Sequence, residues 1–486
     1  MKKPTISKLF LYKRRFVIGY ILLAILLVIL LFGMPLISPA GLSTSEMESA
    51  VTSHDVSAET ILNGEIVDLP YHFLQKVSIA IFGLSAYSIK LPSMLIGVFL
   101  GILLILLLNR WFKNNVAIIA SVLTVLSAPF LFIAGSGTPL IMLVFWPTLL
   151  LWLGSKIEGK TLPKTIYSFV FGFCLLLSIF TPYLIYFAGF VVLYALIHPH
   201  LRFTIKSLPK IPFILTSLVI LACIGALGYE VFRFPETAKT LFFMDNFSWG
   251  AFFANIKDAF LPFFSWSGNI QSVFIAPMIG LASLALAFTG LISTTKGFFA
   301  SRNSIASIFI VFTILLSGFN PFCVILIIIP FAILTAHGVR YILEKWYGLF
   351  PENPYARIFG LIPISAILGI MIISSLTHYL FGYRYNPVVA DEFQNDLSLI
   401  YEKVEPGTTI LVQGGTLNYD FYRILEDKTD YIITTTASNI YADSNSSRVA
   451  TLGKWPSKLP YGLSRIICSP KSTNSDRIYI YEGKSN

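Results

Sequence analysis

Apolar runs of bilayer length alternate with short polar connections along most of this chain. Phe16 to Ser38 is the first run, and its length matches the roughly 20 residues that a transmembrane helix needs. Further runs are predicted at 91–109, 116–134, 139–153, 166–181, 183–197, 211–229, 273–293, 304–318, 321–339 and 358–377. The pattern therefore predicts a polytopic α-helical membrane protein with about 11 transmembrane helices.

Two polar connections, 39–90 and 230–272, are much longer than the others and are predicted to lie outside the cytoplasm. In the first, Leu74, Val77, Ile81 and Leu84 recur at helical spacing, which predicts a helix that lies along the membrane surface.

From about residue 383 the composition becomes that of a soluble α/β domain. Helices are expected at 391–403 and around 421–425, and strands at TTILVQ, YIITTT, GLSRIIC and RIYIYEG. The predicted domains are a transmembrane domain, 1–380, and a small extracytoplasmic α/β domain, 381–486.

The composition excludes a soluble fold, since 55% of the residues are hydrophobic and only 12% are charged. The net charge of +10 indicates membrane topology and not nucleic-acid binding, because the basic residues form short clusters between apolar runs. These clusters predict a multi-pass plasma-membrane protein with a cytoplasmic N-terminus and an extracytoplasmic C-terminus. A cleaved signal peptide is the alternative for the first run, but that run exceeds the usual apolar core of roughly 7 to 15 residues.

Candidate chemistry lies in the first long connection, where Glu46, Glu48, Asp55 and Glu59 precede Pro70-Tyr71-His72. A carboxylate serves as a general base when burial raises its pKa and it reaches a substrate hydroxyl. The alternative is that these acids are solvated on a loop.

The segment GLSTSEMESA followed by LPYHFLQKVSIAIFGLSAYSIKLPSMLIG resembles the integral-membrane GT-C glycosyltransferases of the protein mannosyltransferase and aminoarabinose transferase type. In that family the loop carries an Asp-Glu pair, followed by a proline-aromatic motif and by an interfacial helix that ends G-x-S-x-x-x-x-R-L-P-S. The positions of this chain that correspond to that pattern are Ser45-Glu46, Pro70, Tyr71, His72, Gly83, Ser85, Lys90, Leu91, Pro92 and Ser93. A later segment, FNPFCVILIIIPFAILTAHGV, is similar to a late span of the family that ends in an Ala-x-Gly turn.

The resemblance implies an enzyme, a glycosyltransferase that moves a sugar from a polyprenyl-phosphate donor to a lipid, glycan or protein acceptor at the outer membrane face. Because Ser45 replaces the family's aspartate, Glu46 is the predicted catalytic carboxylate and Asp55 the second candidate. No cofactor or dedicated metal site is expected, although a divalent metal is compatible with such chemistry. The predicted substrate-binding residues are Pro70, Tyr71, His72, Lys76, Lys90 and Arg233.

Two other classes of membrane protein have many spans. A lipid or polysaccharide transporter should show charged residues and interrupted helices within its spans, and these spans are nearly free of charge. A non-catalytic envelope-assembly protein that kept the GT-C fold after losing the aspartate remains an open alternative.

Overall fold

The protein is described here from a computed structural model. The model describes residues 14–37, 41–157, 162–197, 199–206, 210–242, 248–265, 270–271, 274–295, 301–349, 354–386, 392–412, 416–435, 448–455, 459, 461–468 and 477–482.

The first half of the chain is helical. A membrane helix is followed by a loop, residues 41–85, which we call the first loop and which contains three helices of its own. Its elements are α1 (Arg15–Ile37), α2 (Thr44–Asp55), α3 (Ala58–Leu62), α4 (Leu69–Phe82), α5 (Ala86–Trp111), α6 (Asn114–Val125), α7 (Ala128–Gly135), the 3-10 turn Pro139–Ile141 and α8 (Met142–Lys156).

The middle of the chain continues with helices and one short hairpin. These elements are α9 (Leu162–Ser178), α10 (Leu184–Ile197), α11 (Pro199–Lys206), α12 (Lys210–Arg233), α13 (Pro235–Phe242), α14 (Trp249–Phe264), β1 (Ile270–Gln271), β2 (Phe274–Ile275), α15 (Leu281–Thr294), α16 (Ser301–Phe319), the 3-10 helix Pro321–Ile327, α17 (Ile328–Leu349) and α18 (Pro354–Tyr385). The predicted long connection 230–272 therefore contains two helices, α13 and α14.

Within the described residues, six helices are long and apolar enough to cross a membrane: α1, α5, α8, α16, α17 and α18. Two bent pairs, α6–α7 and α12–α13, raise this number to eight if each pair is one span, and three shorter apolar helices lie in α9, α10 and α15. The chain is thus a multi-pass helical membrane protein, and the count of eleven spans stays a prediction.

Two features of the helix bundle depend on proline and glycine residues. The α6–α7 pair bends by 60° where Pro129, in the first turn of α7, has no N–H to continue the helix. Helices α15 and α17 pack with their backbones in close contact, because a Cβ at Gly290 would overlap the Leu334 carbonyl and one at Gly338 would overlap the Leu286 carbonyl. Gly338 lies inside α17, so the expected Ala-x-Gly turn at the end of this span is wrong.

The C-terminal part forms a five-stranded mixed sheet with the strand order β4-β3-β5-β7-β6. Strand β3 is parallel to β4 and β5, whereas β7 is antiparallel to β5 and β6. Strand β5 was not among the predicted strands. The elements are α19 (Asp396–Lys403), β3 (Thr409–Val412), α20 (Thr416–Arg423), the 3-10 helix Ile424–Asp427, β4 (Ile432–Thr434), β5 (Arg448–Leu452), β6 (Gly462–Cys468) and β7 (Arg477–Glu482).

The sheet and the first loop share one hydrophobic core. Met47 of α2 and Leu84 at the end of the first loop are buried together with Phe421 of α20 and Ile478 of β7. The C-terminal sheet therefore lies on the same side of the membrane as the first loop. Leu84 lies beyond α4, which ends at Phe82, so it does not extend the predicted amphipathic helix.

Helix α4 has the exposed apolar face that the spacing predicts. Leu74, Val77 and Ile81 are exposed, and Phe73 and Phe82 widen the same apolar surface. Such a face is stabilised in the acyl and headgroup boundary, which fits a helix at the membrane surface. The opposite face of α4 points into the protein and carries buried polar side chains.

Candidate functional site

Glu46 is the centre of a buried polar cluster in the first loop. Ser43 and Glu46 form a capping box at the start of α2, in which the Ser43 N–H donates to Glu46 Oε2 at 2.9 Å. The other oxygen, Oε1, accepts a hydrogen bond from the Gly137 N–H at 2.7 Å. The side chain is 1% exposed, so local capping chemistry and a long-range contact together fix its position.

Lys90 provides the opposite charge in this cluster. Its Nζ lies 3.6 Å from Glu46 Oε1, and the side chain is 2% exposed. The ammonium also donates to the Gly41 carbonyl at 2.8 Å and lies 5.8 Å from the centroid of the Phe393 ring. Since a buried charge is costly without a partner, the two side chains depend on each other.

A second polar network joins α2, α4 and α5 through Gln75. The hydroxyls of Ser49 and Ser53 donate to Gln75 Oε1 at 2.8 and 2.6 Å. Gln75 Nε2 in turn donates to the carbonyls of Ile89 and Gly137, each at 2.9 Å. All four hydrogen bonds of this buried amide are formed, so Gln75 connects these helices rigidly.

The predicted binding residues Tyr71 and His72 are buried beside these networks. The Tyr71 hydroxyl lies 2.8 Å from Ser93 Oγ, and burial raises the pKa of its phenol, to which Glu46 and Asp68 add. His72 Nδ1 lies 2.7 Å from Ser53 Oγ. Burial lowers the pKa of His72 to about 4, although a hydrogen bond to the Ser49 backbone opposes this, so its imidazole is neutral at physiological pH.

The remaining predicted residues lie apart from Glu46. Asp55 is nine residues further along α2, roughly 13 Å at the usual helical rise, and is exposed beside His54. Lys76 donates to the carbonyls of His54 and Val56, where it caps the end of α2. Arg233 is exposed at the end of α12, with its guanidinium 5.3 Å from the Phe234 ring. Pro70 forms the first turn of α4.

The structure adds one carboxylate that the sequence analysis missed. Asp68 is the N-cap residue of α4, and its backbone is left-handed, with φ 50°. The side chain is 8% exposed and makes no capping hydrogen bond, and Oδ1 has no hydrogen-bond partner. Burial raises the pKa of Asp68 to about 8, and the nearby Thr181 hydroxyl offsets part of that rise.

A sequence signal for Asp68 existed, since an aspartate directly before Leu69-Pro70 is typical of a helix start. Its burial was not visible in the sequence, because it depends on the connection 179–183 between α9 and α10. There the Phe180 carbonyl accepts the Asp68 N–H at 2.8 Å.

No group of three or more His, Cys, Asp or Glu side chains that could hold a metal ion occurs among the described residues. The expectation that the protein has no dedicated metal site stays a prediction.

The resemblance to GT-C type integral-membrane glycosyltransferases is supported by a family model and by the fold of solved structures. The family model for dolichyl-phosphate-mannose-protein mannosyltransferase matches residues 69–229. That match starts at the first residue of α4 and ends in α12.

Two solved structures share this fold along nearly the whole chain. ArnT from Cupriavidus metallidurans bound to undecaprenyl phosphate has a TM-score of 0.52 at 14% identity, over 96% of this chain and 98% of that one. The oligosaccharyltransferase AglB from Archaeoglobus fulgidus, in complex with an inhibitory peptide and a dolichol-phosphate, has a TM-score of 0.50 at 13% identity, over 91% of this chain and 70% of that one. At these identities the likeness concerns the fold alone. No curated protein sequence matches the chain.

Proposed function

We propose that this protein is a glycosyltransferase that moves a sugar from a polyprenyl-phosphate donor to a lipid, glycan or protein acceptor at the outer face of the plasma membrane. The observation that carries the proposal is the buried polar centre of Glu46, Lys90 and Gln75. Lys90 and Gln75 lie in the segment 69–229 that matches the mannosyltransferase family model. The first loop, the turn at Gly137 and α5 meet there beside the membrane surface. A lipid-linked sugar phosphate would place its reacting carbon at that depth.

The chemistry needs a base for the acceptor hydroxyl and positive charge for the departing phosphate. Lys76 and Lys90 donate to backbone carbonyls and hold the first loop together. Arg233 is the better candidate for the phosphate, because its guanidinium is exposed at the end of a membrane helix and matches phosphate geometry.

One observation favours the alternative of a non-catalytic protein with the GT-C fold. Ser45, at the position of the family's aspartate, is exposed and its hydroxyl lies 3.1 Å from Ser43 Oγ. Without another base, the protein would bind polyprenyl phosphate but transfer no sugar. The two proposals differ in turnover and not in lipid binding.

The test uses the full-length protein in nanodiscs with a panel of undecaprenyl-phosphate sugars labelled in the sugar. Membrane extract serves as the acceptor, and its lipid, glycan and protein fractions are counted separately. We expect label to leave the donor and to appear in one fraction. Binding of undecaprenyl phosphate without loss of label from any donor would support the non-catalytic alternative.

A further inference from the structure

Backbone strain in the described part of the chain is concentrated where two connections meet. Asp68, with φ 50°, and Tyr183, with φ 67°, are the two non-glycine residues there with a left-handed backbone. Such conformations are strained and cluster at functional sites. The Asp68 N–H bond to the Phe180 carbonyl connects the two strained segments directly.

Two buried polar atoms at this junction lack hydrogen-bond partners. They are Oδ1 of Asp68 and Oγ1 of Thr181, whose side chains are 8% and 2% exposed. The hydroxyl is close enough to lower the pKa of Asp68, yet the two groups do not meet in hydrogen-bond geometry. A buried polar group without a partner destabilises the folded state, so a ligand that bonds to both groups would remove that cost.

The groups around the junction define the chemistry of that ligand. Tyr71 of α4 and Tyr183 of the connection 179–183 are near enough to Asp68 for its charge to add to the rise in the pKa of both phenols. Burial raises the pKa of both phenols, so both are neutral, and Asn320 Nδ2 donates to the Tyr183 hydroxyl at 2.7 Å. A phosphate would be repelled by the carboxylate, whereas an alcohol can donate to Asp68 and accept from Thr181.

We infer that Asp68 is the catalytic base of the proposed transfer and that Thr181 holds the acceptor hydroxyl beside it. This assignment rests on the proposed function and replaces Glu46 as the base. The hydroxyl proton passes to Asp68 Oδ1 as the hydroxyl oxygen bonds to the anomeric carbon of the donor. The bond from that carbon to the phosphate oxygen breaks, and its electron pair stays on the released polyprenyl phosphate. Water then takes the proton from Asp68.

The protonation state of Asp68 suits this role. Its pKa of about 8 lies near physiological pH, where a base is most effective. Only the ionised carboxylate accepts a proton, so turnover should rise about tenfold per pH unit well below pH 8 and level off above it. A residue with a purely structural role would not give the enzyme this profile.

The first measurement does not depend on turnover. Dicyclohexylcarbodiimide reacts with protonated carboxyl groups in apolar surroundings, and peptide mass spectrometry locates the adduct. We expect Asp68 to be labelled at pH 6.5 and to lose at least about tenfold of the labelling at pH 9.5. Absence of labelling, or labelling that is equal at the two pH values, would overturn the assignment.

The second measurement compares Asp68→Asn with Asp258→Asn, a matched change at an exposed position of α14. Asp68→Asn should lower turnover of the active donor by about 10² to 10⁴ and abolish the rise with pH, whereas Asp258→Asn should leave both unchanged. Turnover by Asp68→Asn within about twofold of the natural protein would also overturn the assignment.

Misfolding is separated from catalysis by thermal unfolding. The folded pKa of Asp68 is raised above its ordinary value of 3.8, so the natural protein loses stability as pH rises from about 4 through 8. Asparagine does not ionise, so Asp68→Asn should melt at a higher temperature than the natural protein at pH 8. If no donor is consumed by the natural protein while the labelling of Asp68 falls about tenfold between pH 6.5 and 9.5, the transfer function fails and the titration of the buried Asp68 carboxyl stands.

Discussion

Glu46 and the backbone of Gly137 are joined by a 2.7 Å hydrogen bond between parts of the chain 91 residues apart. The same glycine is held from its other side, because Gln75 donates to the Gly137 carbonyl at 2.9 Å. The turn between α7 and the following 3-10 helix is therefore fixed by two residues of the first loop. In this arrangement Glu46 positions a turn, and a proton-transfer role would come in addition to that function.

Glu46→Gln tests which role dominates. The substitution leaves the Lys90 ammonium buried without its partner charge, and removal of one member of a buried pair costs about 3–5 kcal/mol. We expect a much lower melting temperature, measured by fluorescence-detected unfolding of the full chain. Adding Lys90→Met to Glu46→Gln should recover part of the loss, because the unpaired charge is then removed as well.

The opposite result would restore the prediction made from sequence. If Glu46→Gln unfolds at the temperature of the natural protein but lowers turnover by about 10² to 10⁴, Glu46 is the base. The double variant is then expected to stay inactive.

Gly137→Ala tests how rigidly the turn between α7 and the following 3-10 helix is held. A Cβ at this position would lie 2.7 Å from Ile89 Cγ2, and both the N–H and the carbonyl of residue 137 are in use. Because these contacts hold the turn in place, it cannot shift away from the added methyl group. The overpacking should therefore lower the free energy of unfolding by about 1–3 kcal/mol. Gly189→Ala, where a Cβ meets nothing within 4 Å, is the control and should not lower the stability, since alanine favours a helix more than glycine does. Equal melting temperatures for the two variants would show that the turn is less constrained.

The membrane architecture was predictable because apolar run length depends on local sequence alone. The hydrophobic face of α4 and four of the five C-terminal strands were predictable for the same reason. Strand β5 was missed, since RVATL is short and its pairing with β3 and β7 is decided by partners elsewhere in the chain.

The site was less predictable, because it depends on which polar groups are brought together. Sequence proximity to the family motif indicated Glu46, but not that Lys90 and Gly137 would both contact its Oε1 atom. Lys76 was interpreted as an outward cation, although its ammonium caps α2. Asp68 was overlooked, because its burial is imposed by a connection more than 100 residues further along the chain.

His72 should make the protein sensitive to acid. Its pKa falls from 6.5 to about 4 on folding, so the folded state binds fewer protons than the unfolded state. The contribution of His72 to the stability of the folded state is therefore fully present above pH 6.5. As the pH falls from 6.5 towards 4, the free energy of unfolding decreases by about 3 kcal/mol in total. His72→Gln keeps a polar group near Ser53 without an ionisation in this range. We expect the difference in melting temperature between the two proteins to change between pH 7 and 4, and a constant difference would contradict the assignment.

Cys468 offers a test of orientation that needs no new residue. It is exposed on β6, whereas Cys174 and Cys323 are buried and Cys223 is half-buried in the apolar helix α12. Cys468 is therefore the thiol that a water-soluble reagent should reach. The sheet shares a core with the first loop, so the position of this thiol also locates the candidate site relative to the membrane. If the basic clusters define the cytoplasmic side, a membrane-impermeant maleimide should label Cys468 in intact spheroplasts, and Cys468→Ser should remove the label. Labelling that requires lysis would place the sheet, Glu46 and Asp68 on the cytoplasmic side, where an outer-face transferase could not act.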